Sequence, residues 1–266
     1  MEAMNAQTTR APARRPPVAL WRVPVTRVER VTPRMARVTV AGAELTGFPG
    51  AGTDQNVMLY FYPDDVTLPE PLTLESARAM WSRARPRTRT YTVRRHDPTT
   101  GEIDFDFVLH GEHGLASAWG QRVRPGDPLI FVGPSPAYRP APDVAGYLLA
   151  GDETALPAIA AILKALPAGA RARVLVEVAD AAEEQPLPSA AAAEVTWLHR
   201  DGLPAGGNDL LERAVRDAEL PGEVEAWVAG ERGAVLAVRR HLLDERGFAR
   251  HRVRPTTYWR HGQSGN

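Results

Sequence analysis

The spacing of apolar positions changes character near residue 144, and the two halves predict different architectures. Before that point, short runs of β-branched and aromatic residues occur at 22–31, 36–42, 56–62, 88–95, 102–110 and 128–132. Each reads as a strand. In the run 102–110, Ile103, Phe105, Phe107 and Leu109 alternate with Glu102, Asp104 and Asp106. That period of two marks a strand with one buried face. Asp97-Pro98 and Gly101 supply a turn between 88–95 and 102–110, which predicts an antiparallel hairpin. A short helix is expected at 114–122. Many short strands with little helix predict a barrel.

Beyond residue 144 strands alternate with helices. An apolar strand at 146–150 precedes Leu156, Ile159, Leu163 and Leu166 at helical spacing. Strands at 173–178, 195–199, 224–229 and 252–259 interleave with helices at 209–219 and 234–246. This alternation predicts a parallel sheet of the nucleotide-binding kind. The stretch 181–194, rich in Ala and Pro, reads as a surface loop. The expected organisation is a disordered tail at 1–17, an antiparallel β-barrel at 18–140 and an α/β domain at 141–266.

Composition narrows the function classes. The chain has 266 residues and no cysteine, which argues against disulfides, Fe–S clusters and thiolate metal sites. Its 32 basic residues balance 32 acidic ones, so bulk charge leaves no nucleic-acid footprint. No apolar run reaches the roughly 20 residues of a membrane helix. The tail lacks the apolar core of a signal peptide, and a cytoplasmic protein is expected. Lys164 is the only lysine, so anion recognition must use guanidinium groups or backbone amides. His199, His241, His251 and His261 show no ligand spacing, and no metal site is expected.

Three segments carry candidate chemistry. In a strand, Arg89 and Tyr91 of Arg89-Thr90-Tyr91-Thr92 project to one face while Thr90 and Thr92 project to the other. A cation beside an aromatic plane suits a flavin's pyrophosphate and ring, although an exposed Arg–aromatic pair has the same spacing. Gly114-Leu115-Ala116-Ser117-Ala118-Trp119 opens a helix whose small residues let a phosphate reach the free amides. Ser117 as a cap and Trp119 in the core is the structural alternative. Gly151-Asp152-Glu153-Thr154-Ala155-Leu156-Pro157 stands where a Rossmann-like sheet presents a helix N-terminus to a pyrophosphate. It lacks GxGxxG, and a well-capped helix explains it equally well.

Together with Arg-Thr-Tyr-Thr-Val-Arg at 89–94, Asp-Phe-Val-Leu-His-Gly at 106–111, Trp-Val-Ala-Gly-Glu at 227–231 and Tyr-Trp-Arg-His-Gly at 258–262, these segments resemble the siderophore-interacting proteins. The resemblance spans roughly residues 20–262. It implies a ferredoxin-reductase-like fold, with an N-terminal antiparallel FAD-binding barrel before a Rossmann-like parallel-sheet NAD(P)H domain. The implied activity is reduction of ferric siderophores by NADPH or NADH through FAD, releasing Fe(II) in the cytoplasm. It further implies that Arg89 pairs with the FAD pyrophosphate, Tyr91 stacks on the isoalloxazine and Thr92 hydrogen-bonds near its N5, with Thr90 beside them. Tyr91 and Thr92 are thereby the candidate catalytic residues. His110, Gly114, Ala116 and Ser117 would hold the phosphate and adenine end. Gly151, Asp152, Thr154, Gly230 and Glu231 would line the nicotinamide nucleotide.

One departure concerns the substrate. Family members often carry a lysine where this chain has Met58, so one cation for an anionic siderophore is missing. Arg34, Arg139 and Arg260 are candidates to supply charge, and a hydroxamate or mixed-ligand complex becomes the more plausible substrate. Arg200, just after the strand 195–199, is a candidate contact for a 2′-phosphate. The alternatives are a general NAD(P)H:flavin reductase, a ferredoxin-coupled one, and a siderophore-binding protein without enzymatic activity.

Overall fold

The computed structural model describes residues 18–50, 52–111, 114–135 and 138–263, and the expected tail lies outside them. Seven strands form an antiparallel sheet: β1 (Ala19–Thr32), β2 (Met35–Ala41), β3 (Asn56–Phe61), β4 (Arg87–Thr92), β5 (Arg95–Asp97), β6 (Glu102–Val108) and β7 (Pro128–Gly133). Their order is β4-β3-β7-β1-β2-β6-β5, so the two edge strands are consecutive in the chain. Only Val93 and Arg94 separate them. The Val93 amide donates to the Gln55 carbonyl at 2.7 Å, before β3, and the Arg94 amide to the Asp104 carbonyl at 2.9 Å, on β6. Consecutive amides thus bond opposite edges, and the sheet curls into the expected barrel.

The expected strand 88–95 therefore divides in two, and only β5 makes the hairpin with β6, from Arg95 opposite Asp104 to Asp97 opposite Glu102. The single buried face expected for β6 is also corrected. Ile103, Phe105 and Phe107 fill the barrel core, yet Asp104 and Asp106 are buried too. Arg37 binds Asp106 through two nitrogens at 2.7 and 2.8 Å. Arg95 and Thr39 donate to Asp104 at 2.7 and 2.8 Å. Paired carboxylates can be covered where bare ones could not. Helix α1 (Leu74–Ala79), which the apolar pattern does not announce, starts at a Thr73–Ser76 capping box. Helix α2 (Leu115–Arg122) lies where expected, between β6 and β7.

The second half forms a parallel sheet of β8 (Gly146–Asp152), β9 (Arg171–Val178), β10 (Ala192–His199), β11 (Val224–Glu231) and β12 (Val253–Trp259). The order is β10-β9-β8-β11-β12, with the reversal between β8 and β11. Both central strands are buried along their whole length, as strands covered on two faces must be. Helix α3 (Leu156–Ala165) covers one face, and α4 (Leu210–Asp217) and α5 (Arg232–Arg240) cover the other. The helix expected at 234–246 changes to a π turn at His241–Glu245.

The stretch 181–194 is not simply a surface loop. Glu183 is buried and joins the two halves: its carboxylate accepts the Thr32 hydroxyl at 2.6 Å and the Arg34 amide at 2.9 Å, at the β1–β2 turn. Two further bonds close the same junction. The Trp227 indole donates to Asp54 at 3.1 Å, and the Tyr138 hydroxyl donates to the buried Glu225 at 2.6 Å.

Candidate flavin site

Where the barrel meets the sheet there is a cavity of about 500 Å³. The barrel contributes Arg89, Thr90, Tyr91, Thr92 and His110 to its wall, and the α/β half contributes Thr154, Tyr258 and Trp259. The placement follows from strand register. Arg89 pairs with Leu59 and Tyr91 with Val57, both core residues, while Thr90 pairs with Met58. Arg89 and Tyr91 therefore share a face, as their spacing requires.

The Tyr91 ring is held against Phe107, with centroids 4.4 Å apart and planes inclined by 31°. Phe107 is backed in turn by Trp119 of α2, at 5.1 Å. Burial pushes the Tyr91 hydroxyl well above the usual phenol range, so it stays protonated and able to donate. Arg89 donates to the Thr88 carbonyl at 2.7 Å and forms no ion pair among the described residues. Burial first and Arg87 second lower its pKa, the condition of a cation lacking an anion. Buried Thr92 and Tyr258 line the cavity from the two halves.

The start of α2 is shaped for close approach. A Cβ on Gly114 would overlap the His110 ring as it stands, so glycine lets that exposed imidazole lie over the start of the helix. Ser117 braces the preceding loop: its hydroxyl accepts the His110 amide at 2.9 Å and donates to the Gly111 carbonyl at 2.8 Å. With that hydroxyl occupied, anion contacts from Ala116 and Ser117 fall to the first-turn amides.

On the other wall, Gly151 allows β8 to run against its neighbours, since a Cβ would lie 2.5 Å from both the Ala155 methyl and the Ala229 carbonyl. Asp152 then ties three strand ends together. It accepts the Thr154 amide at 2.9 Å, the Thr154 hydroxyl at 2.5 Å, the Glu231 amide at 2.8 Å and the Trp259 indole at 2.8 Å. Burial, reinforced by Glu153, pushes its pKa up to about 6. Gly230, at φ 137°, is needed because a Cβ there would reach 2.5 Å from Asp152. The Glu231 carboxylate caps α5 through the amides of Gly233 and Ala234 and holds the His261 amide at 3.1 Å. Asp152 and Glu231 thus shape this edge of the sheet through internal bonds.

The three candidate substrate arginines do not converge on this cavity. Arg34 lies exposed at the β1–β2 turn, Arg260 is exposed beyond β12, and Arg139 borders two other recesses. Arg200 is buried and engaged by Glu153 and Glu177, and so is not the exposed cation a 2′-phosphate contact requires. Tyr258 and Trp259 were missing from the sequence-derived site. An aromatic pair ending the last parallel strand is the signal that marks them.

The residues present fit FAD. Arg89, which has no ion pair among the described residues, the clamped Tyr91 ring and His110 line a cavity within the about 300–1,000 Å³ range of small-molecule sites. Residues 24–138 match the family described as "Siderophore-interacting FAD-binding domain", and residues 144–262 match "Siderophore-interacting protein". The crystal structure of a siderophore utilization protein from T. fusca superposes with a TM-score of 0.83 at 37% identity, covering 95% of this chain and 97% of that one. The ferric vibriobactin reductase ViuB of Vibrio cholerae is 31% identical, over 90% of this chain and 88% of its own. The NADPH-dependent ferric-chelate reductase of Escherichia coli is 28% identical, over 88% and 91%. More distant structures, among them ferredoxin reductases, share the fold alone. With both halves matched by family models and a relative 31% identical over 90% of the chain, the chain belongs to the siderophore-interacting protein family.

Proposed function

We propose that this protein is an FAD-dependent oxidoreductase that reduces ferric siderophores with electrons from NADPH or NADH and so releases Fe(II) in the cytoplasm. The observation that carries this reading is the cavity shared by Arg89, Tyr91 and Thr92 on one side and Tyr258 and Trp259 on the other. Bound FAD supplies the link between a two-electron nucleotide donor and the one-electron acceptor Fe(III).

The chain's own residues position and insulate. Arg89 offers its charge to phosphate oxygens. Tyr91, fixed by Phe107, offers a ring face and a neutral hydroxyl. Thr92 and Tyr258 flank the ring position from the two halves. His110 and the α2 amides take the phosphate end, and Gly151, Asp152, Thr154, Gly230 and Glu231 build the edge met by the nicotinamide. Siderophores hold Fe(II) more weakly than Fe(III), because the smaller charge attracts hard oxygen donors less, so reduction releases the metal without a protein nucleophile.

Met58 is 42% exposed beside Thr90, where a cation would face an anionic complex. Its apolar side chain favours hydroxamate or mixed-ligand complexes over highly charged catecholates. No helix among the described residues is long and apolar enough to cross a membrane. The test is anaerobic incubation of FAD-loaded protein with a reduced nucleotide and a panel of ferric siderophores, trapping Fe(II) with a chromogenic chelator. Fe(II) formation well above that of free FAD supports the reading; a rate equal to free FAD removes it.

A further inference from the structure

In a sheet of this order a dinucleotide crosses the carboxyl edge at the reversal between β8 and β11, and its adenosine ribose is read by the strands beyond β8. Here those are β9 and β10. An acidic group at this position suits the free 2′-hydroxyl of NADH, while an available arginine suits the 2′-phosphate of NADPH.

Arg200 is the cation that β10 delivers to this edge, and its amide is anchored to the Val178 carbonyl at 3.0 Å. Its guanidinium is already committed. Glu153 takes both terminal nitrogens at 2.7 and 2.6 Å, and Glu177 takes one of them at 3.2 Å. The side chain is 4% exposed. Two carboxylates on one guanidinium leave the cluster net negative by formal charge, so a phosphate arriving there meets repulsion instead of a fork. Asn208 tightens the arrangement by donating to the same Glu177 oxygen at 3.0 Å. The adjoining recess of about 400 Å³, beside the start of α5, is lined by Asn208, Asp209, Glu212 and Glu231 with glycines and alanines, and by no cation.

We propose that this edge selects against a 2′-phosphate and that NADH, not NADPH, is the electron donor. The inference rests on the nicotinamide-dependent reading above, and it separates this chain from the NADPH dependence named for the Escherichia coli relative.

Two measurements on FAD-loaded protein test it. In anaerobic stopped-flow, NADH is expected to bleach the flavin absorbance with a second-order rate constant at least about tenfold above that of NADPH. Equal rates, or faster bleaching by NADPH, overturn the proposal. Bleaching by neither nucleotide overturns the nicotinamide-dependent reading itself, and the proposal falls with it. In calorimetric titration, 5′-AMP is expected to bind more tightly than adenosine 2′,5′-bisphosphate, and the reverse order overturns the proposal. Glu153→Gln removes one carboxylate from Arg200 and should lower the NADH-to-NADPH preference by about tenfold. Should that half-buried variant not fold, Asp209→Asn on the exposed rim should lower it by about twofold. A preference unmoved in the folded variant also overturns the proposal.

Discussion

Asp152 at the end of β8 accepts the indole N–H of Trp259 at the end of β12, at 2.8 Å, across the intervening end of β11. The same carboxylate serves Thr154 and Glu231, so one buried charge fixes the α/β wall of the flavin cavity. Burial lifts its pKa to about 6, above the roughly 3.9 of an unfolded aspartate. The folded state therefore takes up a proton before the unfolded chain does as pH falls. The stability of the wild type relative to Asp152→Asn should rise by about 1 kcal/mol between pH 7 and pH 5. Urea denaturation at the two pH values measures this, and Trp259 fluorescence should titrate with a midpoint near 6 in the wild type alone.

Arg89→Ala together with Tyr91→Ala should give protein purified without yellow colour. Tyr91 packs on the core residue Phe107, so the pair of changes also tests the barrel. Arg89→Ala alone removes no ion pair and should keep the far-ultraviolet circular dichroism of the wild type while weakening FAD binding at least about tenfold. Full flavin occupancy in both variants would mean that the cofactor lies elsewhere.

Glu183→Ala should cost about 1–3 kcal/mol, because the buried Thr32 hydroxyl and the Arg34 amide lose their acceptor. Thermal unfolding followed by circular dichroism reads the loss, and Glu183→Gln should recover part of it.

Met58→Lys restores a cation on the exposed face beside Thr90. The KM for a ferric tris-catecholate should fall by about threefold, with a neutral hydroxamate complex little affected. Raising the ionic strength should erase the difference. Equal changes for both substrates would place the siderophore away from this face.

Much of this architecture is legible in the sequence because each strand and helix carries its own period. The helical spacing from Leu156 survives into α3, and the strand period of 102–110 into β6, although both faces of β6 are buried. What escaped depends on partners distant in the chain. Nothing local marks Asp104 and Asp106 as buried, since their arginines come from β2 and β5. Arg200 looks available until Glu153 and Glu177 are brought to it by two neighbouring strands. Glu183 reads as a loop residue because Thr32, its partner, lies on the first strand. The cavity wall at Tyr258 and Trp259 exists only once the last strand has docked beside β11.

The division of one segment into β4 and β5 has a consequence for how the protein lives in the cell. Arg89–Thr92, proposed above to face the flavin, lie beside the seam where the two ends of the barrel sheet are joined, so closing the seam also builds that wall of the cavity. A ligand that binds only the sewn state draws the folding equilibrium toward it in proportion to its concentration. On the proposed siting, flavin supply should govern how much of the protein persists as well as how much of it is active. Val93, buried in the barrel core, and Arg94 keep that seam closed through consecutive amides bonded to opposite sides of the sheet.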